Sequence, residues 1–331
     1  MHKKRSLITL LGLLLVMAMI FTACGSNNNT PEATPSPSPA AEATPTPTPE
    51  AAPAQEETQS PVVLYDREGF QVILPAEINT IVSIAPSNTE IIMALGFGDL
   101  IIAADNHFVE GFNPDLKVLD MFGLDLEYII SLNPDLIVAT SMIMFAGDPL
   151  ETARDLGIAV AYIPSSDSLQ GVKEDIRFLA QILGAETRGE AIITEMETEI
   201  AEIQAIAANI AERRMVYFEI SASPFTFGAG TFLNEMVEIA GGINIFSDQE
   251  GWFSPSVEAV LPHDPDVILT STNYIDDPVG ELLGRDGWGV LTAIQNGNVH
   301  IICTDTSNRP SQYVVRAIRQ IAEAVYPEYF R

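Results

Sequence analysis

The chain has 331 residues, 45 acidic side chains against 16 basic ones, and a formal net charge of −29 at pH 7. So acidic a composition excludes a nucleic-acid-binding footprint, which needs clustered Lys and Arg. It suits a soluble protein whose surface repels anionic polymers and lipids.

The first 23 residues read as an address. His2, Lys3, Lys4 and Arg5 precede an apolar run over 7–21, the pattern of a secretory signal, and the run is too short for a membrane-spanning helix. Thr22-Ala23-Cys24 resembles a lipoprotein processing site, so Cys24 is expected to carry lipid and to become the new N-terminus. Removing 1–23 takes away three basic residues and no acidic ones, leaving 13 basic against 45 acidic side chains and a net −32. Residues 24–60 are rich in Pro, Thr and Ala, with too little apolar surface to offset ordering entropy, and form a disordered tether. With Cys24 lipidated, Cys303 has no partner for an intrachain disulfide. In the apolar run over 299–303 it reads as a small buried hydrophobe.

From 61 onward the pattern alternates. Segments 62–64 and 71–74 flank Asp66-Arg67-Glu68-Gly69 and predict a hairpin. A strand over 81–84 leads through Ala85-Pro86-Ser87-Asn88 into a helix over 89–95, stopped by Gly96. Strands follow over 100–104, 136–138 and 157–163, and then an amphipathic helix over 168–183. Apolar residues at helical spacing (Ile192, Ile193, Met196, Ile200, Ile203) predict one long helix over 186–213, longer than a single lobe requires. A second α/β set begins with a strand over 215–220, a glycine-containing loop over 221–230 and a helix over 231–240. It ends with a strand over 298–302 and a helix over 312–326.

One unit occurs twice. Leu126-Glu127 and Val257-Glu258 are each separated by six residues from a Pro-Asp pair (Pro134-Asp135 and Pro265-Asp266) that opens an apolar strand. The pattern reads as a short helix, a turn and a buried strand, with Ser254-Pro255 opening the second copy. Two α/β halves with parallel sheets place a ligand at the C-terminal strand ends, in a cleft between lobes.

Ile81-Val-Ser-Ile-Ala-Pro-Ser-Asn-Thr-Glu90, the repeated Leu/Val-Glu-x₆-Pro-Asp, Glu238-Ile-Ala-Gly-Gly-Ile-Asn-Ile-Phe246 and Ala293-Ile-Gln-Asn-Gly-Asn-Val299 resemble the helical-backbone substrate-binding proteins of bacterial ABC importers, receptors for vitamin B12, ferric siderophores and haem. The resemblance runs from about residue 62 to the C-terminus. It implies two Rossmann-like lobes, 61–185 and 214–331, joined by a stiff helix over 186–213 that limits closure. It also implies a monomer, anchored by lipid to the outer face of the bacterial cell membrane, that carries a corrinoid or ferric siderophore to a dimeric permease. No resident cofactor or metal and no enzymatic activity are implied. Permease docking by one glutamate per lobe transfers to Glu127 and Glu238.

The ligand is expected between the strand-end loops. The residues assigned to it are Ser87, Asn88, His107, Phe108, Phe122 and Met142 from the first half, and Phe225, Trp252, Phe253, Tyr274 and Arg309 from the second, with Ser223 in the same loop as Phe225. Aromatic walls suit a bulky chelate. Arg309 is the single cation in these loops, which argues against a polyanionic catecholate; its alternative role is a local ion pair with Asp305. Haem, with His107 or Met142 as axial ligand, is a further reading. A direct metal-ion receptor needs three or four converging ligands, and His107, His263 and His300 lie on separate elements. A secreted hydrolase with a carboxylate pair is the alternative from a different class, and no Gly-x-Ser-x-Gly, phosphate-loop or His-Glu-x-x-His motif supports one.

Overall fold

The computed structural model describes residues 62–109, 116–222 and 224–330. Cys24 with the tether, Ser223 and the side chain of Phe108 lie outside the described residues. The first half opens with an antiparallel hairpin, β1 (Val62–Tyr65) and β2 (Gln71–Leu74). Then come β3 (Ile81–Ile84), β4 (Ile101–Asp105), β5 (Lys117–Leu119), β6 (Leu136–Thr140) and β7 (Ala159–Ile163). They form an all-parallel sheet in the order β5-β4-β3-β6-β7. The second half holds β8 (Met215–Glu219), β9 (Thr226–Phe227), β10 (Ile243–Asn244), β11 (Trp252–Phe253), β12 (Val267–Thr270) and β13 (Val299–Ile301). Its main sheet, β10-β8-β12-β13, is also parallel, and β9 and β11 make a separate antiparallel pair.

The central strands are buried on both faces, as a parallel sheet covered by helices requires. In β6, Leu136 and Val138 face one core while Ile137 and Ala139 face another. The first of these cores is continuous between the halves. It runs from Ile81, Leu136 and Val138 through Ile192, Ile193, Met196 and Ile203 to Val216, Phe218 and Leu269. The interlobe helix Glu186–Ala207 supplies that middle section. It has 22 residues, about 33 Å at 1.5 Å per residue, and ends six positions earlier than the periodicity predicts. The chain turns at Ala208-Asn209, where the Asn209 side chain donates to the Ala205 carbonyl. Gly189 is required by packing: a Cβ there would come within 2.6 Å of the Ala180 Cβ on the helix Leu169–Ile182. Among the described residues no helix is long and apolar enough to cross a membrane.

The repeat is structural as well as sequential. Asn133 (φ 49°) and Asp264 (φ 38°) both adopt the left-handed conformation that Asn and Asp tolerate best, each directly before the Pro-Asp pair. The aspartate then clamps the start of the neighbouring strand. Asp135 Oδ2 accepts from the Asn79 N–H, the Thr80 N–H and the Thr80 hydroxyl at 2.8–2.9 Å. Asp266 Oδ2 accepts from the Met215 N–H at 2.8 Å. Burial works against ionisation of Asp135, yet these donors hold its carboxyl below the usual range. β6 pairs with β3 as β12 pairs with β8, so the two clamps do equivalent work.

Two expectations are corrected here. The second copy forms two short 3-10 turns, Val257–Ala259 and Leu261–His263, rather than a helix opened at Ser254. Pro262 removes a donor from that segment. Cys303 is exposed. The chain leaves edge strand β13 with Ile302 turned into the core, and the Cys303 N–H is accepted by Gln320 Oε1. The short strands β5, β9, β10 and β11 have no counterpart in the sequence pattern.

Candidate functional site

A cavity of about 650 Å³ lies at the C-terminal ends of the strands. All five strands of the first sheet contribute: Ala85 to Ser87 follow β3, Asn106 and His107 follow β4, Met121 and Phe122 follow β5, Thr140 and Met142 close β6, and Pro164 and Ser165 follow β7. The other wall comes from Asn273 after β12 and from the segment Thr304 to Pro310 after β13, including Asp305, Asn308 and Arg309. A crevice outside the carboxyl ends of parallel strands is where open α/β sheets bind ligands. Ala85 makes the turn into the helix Pro86–Ala94 at φ 155°, a costly angle for a side chain. That turn sets Pro86 and Ser87 against the cavity.

The polar wall is organised by two carboxylates. Asp105, the buried last residue of β4, accepts from the backbone N–H of His107 at 3.0 Å and from its Nδ1 at 2.9 Å through one oxygen. Its other oxygen accepts from the Met121 N–H at 3.1 Å. Glu90, buried in the helix Pro86–Ala94, reaches the opposite half. Its Oε1 accepts from Arg309 Nη1 at 2.8 Å and its Oε2 from the Ser311 hydroxyl at 2.5 Å, while Gln312 Nε2 donates to its carbonyl. Burial pushes the Glu90 carboxyl above the usual range, against the pull of Ser311 and Arg309. Arg309 also pairs with Asp305 at 2.7 Å and donates to the His107 carbonyl at 2.7 Å. Its charge is therefore spent on two carboxylates before any ligand arrives. The contact between the halves is reciprocal. Glu235, at the position of the helix Phe232–Ile239 that corresponds to Glu90, accepts the Leu169 N–H at 2.8 Å. Both glutamates stand six residues before a left-handed glycine, Gly96 and Gly241.

Ser87, His107, Phe122, Met142 and Arg309 are brought together on the cavity. Phe122 and Met142 are 60% and 52% exposed, which leaves large apolar side chains available to a bound molecule. Other assignments need correction. Asn88 is 1% exposed, points into the fold from its helix and does not line this cavity. Phe225, Trp252, Phe253 and Tyr274 do not line it either. The antiparallel pair β9–β11 gathers the rings in the second half: Trp252 stacks on Phe225 at 6.4 Å and packs against Phe227 and Phe232, and Phe253 packs on Phe246. The Tyr274 hydroxyl accepts from the Ala222 N–H. Trp288 is fully buried, with its indole N–H donated to the Val257 carbonyl. Pro164, Ser165 and Thr304 were not anticipated from sequence, although each follows a strand.

Glu127 is exposed in the first turn of the helix Leu126–Ser131, capped by Asp125. Glu238 is a correction. It is exposed at the far end of the helix Phe232–Ile239, beside Gln204, Arg213 and Gly241, and it accepts from Asn234 Nδ2. Arg213 precedes β8, so Glu238 lies at the strand-entry end of its half, away from the cavity, and is no counterpart of Glu127. Glu258 is the counterpart. It is exposed in the turn Val257–Ala259 and, like Glu127, stands eight residues before its clamping aspartate. Among the described residues no group of three or more His, Cys, Asp or Glu is arranged to hold a metal ion.

Comparison with known proteins points the same way. A model of a periplasmic binding protein family matches residues 81–306. An uncharacterised ABC transporter substrate-binding lipoprotein of Bacillus subtilis is 30% identical over 287 residues, covering 84% of this chain and 90% of that protein. The structure of the periplasmic haem-binding protein RhuT of Roseiflexus, in apo form, superposes with a TM-score of 0.64 at 28% identity, covering 76% of this chain and 99% of that one. The periplasmic vitamin B12-binding protein BtuF of Vibrio cholerae gives 0.62 at 25% identity, covering 76% and 97%.

Proposed function

The chain belongs to the periplasmic binding protein family, and from that premise we propose that it captures a weakly charged metal chelate and delivers it to the permease of an ABC importer. Members of this family bind rather than transform, and the chain is a substrate-binding protein of the vitamin B12, siderophore and haem type, not an enzyme. The observation that carries the finer reading is the cavity wall. It combines exposed Phe122 and Met142 with a single arginine already paired to Glu90 and Asp305. Such a wall suits a corrinoid, haem or a hydroxamate chelate better than a polyanionic catecholate, which would need free cations. The purified chain is expected to bind at least one of cobinamide, ferric haem or ferrichrome at micromolar Kd in an absorption titration, and to bind ferric enterobactin at least tenfold more weakly. Failure to bind any of the first three refutes the reading.

Lipid attachment at Cys24 and a monomeric state belong to the same proposal, supported by the signal pattern and by the lipoprotein from Bacillus subtilis. Docking is assigned to Glu127 and Glu258, the two repeat-equivalent exposed carboxylates. Each rim pair contributes only about 0.2–1 kcal/mol, but reversing both charges also sets like against like on the permease. Charge reversal of Glu127 and Glu258 to Lys is expected to leave ligand Kd unchanged and to cut uptake about tenfold or more, a loss of about 1.4 kcal/mol. Glu238→Lys is the control and should take up ligand normally. Undiminished uptake by the double variant would remove the docking assignment.

A further inference from the structure

We propose that a second pocket, where the interlobe helix meets both halves, binds a small amino-acid zwitterion with its ammonium end inward. The inference stands apart from the receptor reading, because this pocket shares no lining residue with the cavity.

The pocket holds about 290 Å³, at the lower end of the range for ligand sites. Three parts of the chain meet there. Ala94 closes the helix Pro86–Ala94 of the first half, and Gln312 and Arg316 stand at the start of the last helix, Val314–Val325. Between them, Arg188, Ile192, Glu195 and Glu199 recur at helical spacing along the interlobe helix, which puts them on one face. Arg188 is already committed. Its Nε donates to the Ala94 carbonyl at 3.0 Å, and its guanidinium faces Glu195 at 3.6 Å.

The buried end of the pocket carries the signal for a ligand. Gln312 is 8% exposed, and its Nε2 donates to the Glu90 carbonyl at 3.1 Å. A carbonyl takes only a donor, so the amide orientation is fixed and Oε1 is the polar atom left for the pocket. That oxygen is buried and has no hydrogen-bond partner among the described residues. Buried acceptors are rarely left so, because their lost hydration is not recovered. A donor group entering the pocket would satisfy it.

The charges say which donor. Ion pairs of the interlobe helix engage Glu190, Glu195, Glu197 and Glu202, and half-buried Glu199 has none among the described residues. A free carboxylate beside an unpaired amide oxygen selects an ammonium, which donates three times and accepts nothing. Arg316 stands one turn on from Gln312 and is exposed. Its guanidinium lies 4.3 Å over the Tyr313 ring and has no carboxylate partner among the described residues. It suits the anionic end of the ligand. Ile192, Met196 and Val315 give apolar contact to the carbons between the two ends. A bare amine would leave Arg316 unanswered, and a bare carboxylate would face Glu199.

The test titrates the full chain in detergent with glycine, β-alanine and γ-aminobutyrate, and with butylamine and butanoate as single-ended probes, by calorimetry and by melting. At least one zwitterion is expected to bind with a Kd of about 1 mM or lower. At a hundred times its Kd it should raise Tm by about 5–10 °C. Butylamine and butanoate should bind at least about tenfold more weakly. Glu199→Gln and Arg316→Ala should keep the unliganded Tm within about 2 °C and each weaken the zwitterion about tenfold. Gln312→Met removes the orphan acceptor and should weaken it by a similar factor, measured against that variant's own unliganded Tm. No binding of any zwitterion, equal binding of a single-ended probe, or binding that both surface variants leave unchanged overturns the inference. The titrations contain no chelate, so none of these outcomes touches the receptor reading.

Discussion

Arg285→Ala is expected to destabilise the protein by about 3–5 kcal/mol, the cost of stripping the partner from a buried ion pair. Glu219 ends β8 with 1% of its side chain exposed, and Arg285 grips it with both nitrogens, Nη1 to Oε2 at 2.6 Å and Nη2 to Oε1 at 2.8 Å. Glu281, four residues earlier, holds the same guanidinium, which also lies 4.4 Å over the Trp288 ring. Burial and Glu219 push the Tyr217 phenol far up, so its hydroxyl donates to Glu219 at any working pH. Without Arg285 that hydroxyl is the one side-chain donor left to the carboxylate among the described residues. Arg285→Lys keeps the charge but loses the fork, and should cost about 1–3 kcal/mol. Urea unfolding with an unchanged m-value measures both. At about 2–4 °C per kcal/mol for a domain of this size, the alanine variant should melt roughly 10 °C lower. A loss below about 1 kcal/mol would show that the network is not what holds the cleft end of β8.

Glu90→Ala is expected to cost about 3 kcal/mol and to weaken ligand binding, because one carboxylate joins the two halves beside the cavity. It leaves the Ser311 hydroxyl proton without its acceptor and Arg309 with Asp305 and the His107 carbonyl as its remaining partners. Glu90→Gln preserves an acceptor and should cost about 1–2 kcal/mol. A double-mutant cycle with Arg309→Ala isolates the pair, and a coupling energy of at least about 1 kcal/mol is expected. Additive losses would mean that Glu90 acts through packing and that Arg309 is free for another partner.

Much of the frame was legible in the sequence because it rests on local chemistry. Asn133-Pro134-Asp135 and Asp264-Pro265-Asp266 announce a left-handed residue, a stop and a clamp, and the structure uses each in that order. The interlobe helix followed from its spacing of isoleucines, although its end did not, because the turn at Asn209 is made by a side chain that helix periodicity ignores. Strands of two or three residues, such as β5 and β11, exist through their pairing and carry too little pattern to be seen alone. The site was partly legible. Residues that follow strands (Ser87, His107, Phe122, Met142, Arg309) do meet. What joins them is long-range: Glu90 and Arg309 are 219 positions apart. The sequence signal for Asp105 is an acid two residues before a histidine at a strand end. Glu238 was misplaced because motif resemblance carries no information about which end of a helix faces the cleft, whereas the spacing of the repeat does.

The exchange of Glu90 and Glu235 between the halves has the logic of a twofold homodimer, in which the same residue of each copy reaches its partner. Inside one polypeptide the two joints are not equivalent. Glu235 is received by a main-chain N–H at the start of the helix Leu169–Ile182, a partner no substitution at Leu169 other than proline removes. Glu90 is received by side chains, Arg309 and Ser311, and Arg309 also borders the cavity. One joint is therefore conservative by construction and the other evolvable. Specificity can drift on the Arg309 side over generations while the backbone joint keeps the lineage foldable.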